Sequence, residues 1–266
     1  MSEVKYDFYE EMMHPYKLFF EDETRDGFYV WTMMKRFWAA QLKVLAEIDK
    51  VCKKHDLRWF ADNGTLLGAV RHGGFIPWDD DMDISMLRDD YEALIKYAKD
   101  ELPEGYEIKS IRYNKDHEQM LGRIINTHYI NYNEEHLEKH FGCPYLVGVD
   151  IFPLDGVYDE ESKEIERRDR VTSVANALTL IEKGEKDSPL CRSILADIER
   201  REHTILHRKG DIVYELKLLC EDIMAECPAD KVEYVASMPF WVKDGFRKFL
   251  RILGRGMMPL NGQILS

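Results

Sequence analysis

Long apolar runs are missing from this chain of 266 residues, and no stretch approaches the ~20 apolar residues that a membrane-spanning helix needs. Cysteine is sparse, and the five that occur, Cys52, Cys143, Cys191, Cys220 and Cys227, include no C-x-x-C pair. That removes the usual zinc spacings. An odd count without such spacing reads as reduced core thiols in a cytoplasmic protein. The first residues, Met1 to Glu11, are polar and acidic, with no basic start followed by an apolar run, so no signal peptide is expected there. No internal repeat and no low-complexity tract occurs, which argues against a solenoid and against a disordered chain. Positive charge is also short. Lys+Arg number 37 against 50 Asp+Glu, a net charge of −13. A surface of that sign repels phosphate backbones, so nucleic acid is excluded as a general partner. A small basic pocket for a phosphorylated small molecule stays compatible with it.

What is present is a core and an acidic run set against it. Hydrophobic residues make up 45% of the chain and aromatics 12%, enough for a sizeable interior. The run Trp78-Asp79-Asp80-Asp81-Met82-Asp83-Ile84 carries four carboxylates in five residues, flanked by apolar side chains. Trp78, Met82 and Ile84 are expected to tie it to the core. Crowded carboxylates repel, and burial penalises each of them, so a divalent cation is the expected counter-charge.

The pattern around this run alternates helix and strand. Met33, Phe37, Ala40, Val44, Ile48 and Val51 form one stripe at helical spacing and predict a helix over 29–55. A strand is expected over 57–61, then a helix opened by Asn63-Gly64-Thr65 and running over 66–71. His72-Gly73-Gly74 reads as a turn, with His72 in solvent. An extended segment over 81–86 puts Asp81 and Asp83 on one face, Met82 and Ile84 in the core, and Asp80 pointing away. A helix over 88–102 follows, stopped by Pro103, and strands are expected over 106–113, 119–132 and 145–152, the last closed by Pro153. Beyond residue 159 two charge-dense stretches carry helical spacing. The organisation expected is a lead-in (1–28), a core (29–158) and a helical extension (159–266).

The Asp81-x-Asp83 pair suits Mg²⁺, which takes one or two carboxylates together with water and substrate phosphates. Asp150, a lone acid within Val149-Asp150-Ile151-Phe152, is the expected third ligand. Asp155 is weaker, because it follows Pro153 and should lie in a turn. Asn63, Gly64 and Thr65 open a helix whose free N–H groups favour a phosphate. Arg71 and Arg123 are candidates for phosphate contact, against the plainer readings of a surface charge for Arg71 and a structural ion pair for Arg123. A calcium loop fits poorly: Asp79, Asp81 and Asp83 take positions one, three and five, but position six is Ile84 rather than Gly and position twelve is Asp90 rather than Glu.

The segment Asp62 to Ile84, reading DNGTLLGAVRHGGFIPWDDDMDI, resembles the signature of the LicD family. Gly122 to Thr127 and Asp150 to Val157 are similar to its following blocks. Best-known members of that family are phosphorylcholine transferases, and fukutin-type sugar phosphotransferases are relatives. The resemblance implies an α+β fold, a nucleotidyltransferase-like mixed sheet flanked by helices, with the helical extension following it. It implies two Mg²⁺ ions, with Mn²⁺ as an alternative, held by Asp81, Asp83 and Asp150. Asp150 would also serve as base, Asn63, Gly64 and Thr65 would hold donor phosphate, and Arg71 and Arg123 would neutralise charge. The implied reaction moves a phospho-substituent such as phosphocholine from a CDP-linked donor to a hydroxyl of a glycan or lipid-linked glycan. Alternatives are a nucleotidyltransferase moving NMP and a degenerate member that binds nucleotide only. The final residues, Met257 to Ser266, do not resemble the family's C-terminal Tyr/Gly-Asp segment, so an atypical or truncated end is expected. The basic and aromatic stretch 240–255 reads either as a peripheral contact with the inner face of the membrane or as a helix packed on the domain.

Overall fold

The computed structural model describes residues 18–237. The stretch 240–255 and the final residues therefore lie outside the described residues. The described residues open on a two-stranded hairpin, β1 (Glu23–Arg25) and β2 (Phe28–Val30), where a loosely structured lead-in was expected. Its two-residue turn, Asp26-Gly27, has both residues at positive φ, +53° and +79°. That is the turn whose twist matches a tight hairpin.

Helix α1 (Thr32–Lys54) follows and carries the expected stripe, with Ala40, Val44, Ile48 and Val51 buried. It begins three residues later than predicted because Tyr29 belongs to β2. Strand β3 is cut to Phe60–Ala61, and α2 spans Asn63–His72. Asp62 caps α2 by accepting the Asn63 N–H, and Gly73 ends it in the left-handed region at φ +67°. Strand β4 (Asp83–Leu87) leads directly into α3 (Arg88–Glu101). Short strands β5 (Glu107–Lys109) and β6 (Gly122–Ile125), helix α4 (Glu134–Lys139) and the long strand β7 (Gly148–Val157) complete this part. Pro153 does not close β7: the strand continues to Val157, so Asp155 sits in the sheet instead of a turn.

The sheet runs in the order β3-β4-β7-β6-β5. The β4–β7 pair is parallel, and β3–β4, β6–β7 and β5–β6 are antiparallel. Helices α1 and α3 cover one face. Ile84, Met86, Ile124, Val149 and Ile151 point into that core with Val44, Ile48, Tyr91 and Leu94. Side chains alternate along a strand, so Asp83, Arg123 and Asp150 take the opposite face.

Helices α5 (Glu161–Glu182), α6 (Pro189–Arg201) and α7 (Ile212–Ala225) make a second core around Val174, Leu195 and Leu216. The segment is not helical throughout. Strand β8 (Tyr234–Ser237) returns to the main sheet and pairs with Leu154–Val157 of β7, taking the position that β6 leaves after Ile151. The fold is thus α+β, a six-stranded mixed sheet with flanking helices. All five cysteines are buried and unpaired, and burial pushes the Cys52 and Cys220 thiols up to about 12. Among the described residues no helix is long and apolar enough to cross a membrane.

Candidate functional site

The site begins with register. In the parallel pair β4–β7, Asp83 stands opposite Asp150, and in the antiparallel pair β6–β7 Arg123 stands opposite the same Asp150. Residues paired across strands point the same way, so two acids and one base share the face away from the core. Arg123 Nε lies 3.3 Å from Asp150 Oδ1, yet neither atom has a hydrogen-bond partner although both are buried. Burial raises the Asp83 carboxyl, and with the Asp150 charge beside it the pKa is pushed up to about 6 against the Asn63 hydrogen bond that lowers it. Asp150 is also raised by burial, with Arg123 opposing and Asp81 adding to the rise.

Asp81 enters from a loop. Strand β4 starts at Asp83, so the expected two-residue alternation does not govern Asp81 or Asp80. The carboxylate oxygens of Asp79, Asp80 and Asp81 all approach within 4.8 Å of one another, the one such group of three among the described residues. Asp80 therefore joins its neighbours instead of pointing away. The backbone of this loop is anchored from α1: Trp38 Nε1 donates to Asp79 O at 2.8 Å and Gln41 Nε2 donates to Asp80 O at 2.8 Å. Met82 and Ile84 are buried as expected, but Trp78 is 52% exposed and belongs to the surface. Pro77 and Ile76 are the residues that turn inward before the acids.

The amino-terminal turn of α2 faces the same region. Gly64 lets the Asp79 carboxylate lie directly over this turn, where a Cβ would displace it. The Thr65 hydroxyl accepts the Asp83 N–H at 2.8 Å, which ties the helix start to the strand start and leaves the hydroxyl proton free to donate. Asn63 takes φ +43° and hydrogen-bonds the Asp83 carboxylate. Arg71 is elsewhere. It lies in the last turn of α2, eight residues beyond Asn63 or about 12 Å along the axis. His72 is beside it with its side chain 10% exposed, held by Asp26, so it is not a solvated loop residue.

Asp155, on the core face, is a structural residue. Its carboxylate takes two hydrogen bonds from Arg88, at 2.6 and 2.9 Å, and is 1% exposed.

Sequence reasoning passed over four contributors. Asp62 is raised by burial and accepts from Asn63 and Ser85. Its position before Asn-Gly-Thr is a helix-cap signal that could have singled it out. Asp79 is raised by burial over the α2 start. Trp38 and Gln41 lie on the buried stripe of α1 and carry no signal that separates them from ordinary core.

A cavity of about 510 Å³ lies between α1, α2 and the acidic loop, within the range of small-molecule sites of roughly 300–1,000 Å³. Trp38, Leu42, Trp59 and Phe75 line its apolar side, and Thr65, Asp79 and Asp81 its polar side.

Residues 56–170 match the family model described as LicD/FKTN/FKRP, nucleotidyltransferase domain. Over 69 residues the chain is 38% identical to the lipopolysaccharide cholinephosphotransferase LicD of Haemophilus influenzae, covering 26% of each protein. An uncharacterised protein of Rickettsia typhi is 36% identical over 63 residues, 21% of this chain and 20% of that protein. One of Rickettsia prowazekii is 40% identical over 48 residues, 18% of each. The chain thus aligns with about a quarter or less of the length of these curated relatives. The matched region contains β3, α2, the acidic loop, β4, β6 and β7, and this part of the chain is similar to the nucleotidyltransferase domain of the LicD family.

Proposed function

We propose that the chain transfers a phospho-substituent such as phosphocholine from a CDP-linked donor to a hydroxyl of a cell-surface glycan precursor, in a Mg²⁺-dependent reaction. The observation that carries the reading is the Asp83–Asp150–Arg123 row. Two acids share one sheet face, and Asp83 is pushed up to about 6 by burial and by Asp150. One guanidinium does not neutralise both of them together with Asp81. Asp150 Oδ1 is buried and faces Arg123 Nε at 3.3 Å without a hydrogen bond, which leaves its lone pairs to suit a hard cation.

Asp81, Asp83 and Asp150 would hold the metal. When bound, Mg²⁺ would offset their repulsion and stabilise charge on the reacting phosphoryl oxygens. The remaining work belongs to the chain. The first turn of α2, with Asn63, Gly64 and Thr65, would receive donor phosphate on N–H groups that have no helical partner. The acceptor oxygen forms a bond to the phosphorus that bears the substituent, the bond from that phosphorus to the CMP oxygen breaks, and Asp150 takes the acceptor proton. Arg123 would balance charge on the departing CMP. The match to a LicD family model and the name of the Haemophilus relative, a lipopolysaccharide cholinephosphotransferase, support this choice of substituent and of a glycan acceptor.

Product analysis tests it. CDP-choline with Mg²⁺ should yield CMP, and loss of CMP release on adding EDTA should be reversed by excess Mg²⁺. Pyrophosphate release from a nucleoside triphosphate, with CDP-choline left intact, would instead identify nucleotidyl transfer.

A further inference from the structure

Trp78 is the odd residue of the acidic segment. It immediately precedes Asp79 yet is 52% exposed, and the ring is held in place from two sides. Phe28 of the hairpin meets it edge-on at 6.1 Å and 66°, and His72 meets it at 6.1 Å and 81°. Phe28 itself is 39% exposed. A large indole left in water, braced at its edges and adjoined by a part-exposed Phe28, offers a flat apolar contact surface.

Polar groups ring it. Arg71 Nε donates to His72 Nε2 at 2.8 Å, so Nδ1 carries the imidazole proton and donates to Asp26 Oδ2 at 2.9 Å. This chain fixes Arg71 and Asp26 beside the indole while both remain exposed. The Asp26-Gly27 turn supplies Asp26 and Phe28 together, so one hairpin reaches both His72 and Trp78.

We propose that Trp78 and Phe28, with Asp26, His72 and Arg71, form a platform for a pyranose ring of the acceptor glycan. The polarised C–H bonds on one face of a sugar suit the electron-rich face of an indole. Its hydroxyls need paired donors and acceptors at the edge, which Arg71 and Asp26 provide. An anionic lipid surface is a poorer occupant, since Asp26 and the adjoining Asp79–Asp81 cluster bring negative charge to this segment. The platform is continuous with the acidic loop through the Trp78–Asp79 peptide bond. The inference rests on the acceptor being a glycan and assigns Arg71 to that acceptor instead of to donor phosphate.

The test is a ligand-observed NMR titration of the whole chain with methyl β-glucopyranoside, methyl β-galactopyranoside and methyl N-acetyl-β-galactosaminide. At least one should bind with a Kd of ~1 mM, the scale of a single-sugar contact. Trp78→Ala and Arg71→Ala should each weaken it about tenfold or more, with CMP binding and the melting temperature unchanged. No binding by any of the three, undiminished binding in Trp78→Ala, or a loss of CMP binding in its place overturns the platform. CMP release from CDP-choline with water as acceptor is measured on the same preparations. Its absence in the unmodified chain counts against the transfer reaction alone, because the sugar titration does not depend on it.

Discussion

Asp83 and Asp150 face each other across adjacent parallel strands, and the cation built into their row is Arg123 on the next strand. A sheet interior disfavours such a pair. It stands because the face is open to solvent on one side and because Asn63 and Arg123 each satisfy one acid in part.

Replacing Asp83 with Asn separates the electrostatic from the structural role. Asp83→Asn keeps the shape and the Asn63 contact but removes the charge that Asp150 opposes. Metal-dependent CMP release should fall by at least about a hundredfold. The metal-free protein should melt higher, by ~2–4 °C for each kcal/mol of repulsion relieved in a chain of this size. A lower apo melting temperature, read by differential scanning calorimetry, would mean that the carboxylate stabilises the fold.

The pH dependence follows with a definite sign. The folded Asp83 pKa of about 6 lies above its ordinary 3.8, so folding favours the protonated form. Its contribution to stability is fully present below the ordinary value and is lost as pH rises through about 6. The apo melting temperatures of the unmodified chain and of Asp83→Asn should therefore converge near pH 4 and separate by about pH 7. Mg²⁺ affinity should run the other way and weaken below about 6, where protons compete for the carboxylate. Isothermal titration at several pH values reads this directly, and a flat profile would remove Asp83 from the metal site.

Gly64 sets two effects against each other. Alanine at an ordinary helical position gains up to ~1 kcal/mol over glycine. Here its Cβ would drive the Asp79 carboxylate away from the α2 start. Gly64→Ala should leave the melting temperature within a few degrees while weakening Mg²⁺ binding and CMP release by about tenfold or more. Calorimetry of the same variant for both quantities distinguishes a displaced site from a damaged fold.

Much of this site was legible because its signals are local. The Asn-Gly-Thr helix start, the lone acid in Val149-Asp150-Ile151 and the stripe of α1 each depend on periodicity or on a turn signal. The hairpin was also legible in principle, since Asp26-Gly27 is a strong turn pair, but the flanking strands are three residues each and show no alternation. Trp78 was misread for a different reason. An apolar residue beside acids predicts burial only if the segment is extended, and residues 77–82 form a loop hung from Trp38 and Gln41. Those anchors are tertiary contacts about forty positions away, which no window on the sequence contains. Asp155 was lost in the same way. Pro153 suggested a stop, but the strand continues through it because neither β4 nor β8 needs its missing N–H, and the acid then meets Arg88.

That Arg88–Asp155 pair gives the sharpest prediction for the fold. Arg88, 5% exposed, opens α3 directly after β4, and Asp155 lies on β7 beyond the residues that flank Asp150. Glu221 of α7, 1% exposed, approaches Arg88 Nη1 at 3.6 Å, so the guanidinium joins the sheet to the helical segment. Removing it leaves two buried carboxylates without their main counter-charge. Arg88→Met should cost ~3–5 kcal/mol by urea denaturation. Arg88→Met combined with Asp155→Leu should recover a large part of that loss, because replacing a buried pair by apolar groups is often close to neutral. Glu221 keeps Arg112 at 3.5 Å in the double variant, so a residual deficit is expected from its weaker partner. Should the double variant prove no more stable than Arg88→Met, Asp155 is not what Arg88 compensates, and the cost lies in Glu221 and the docking of α7.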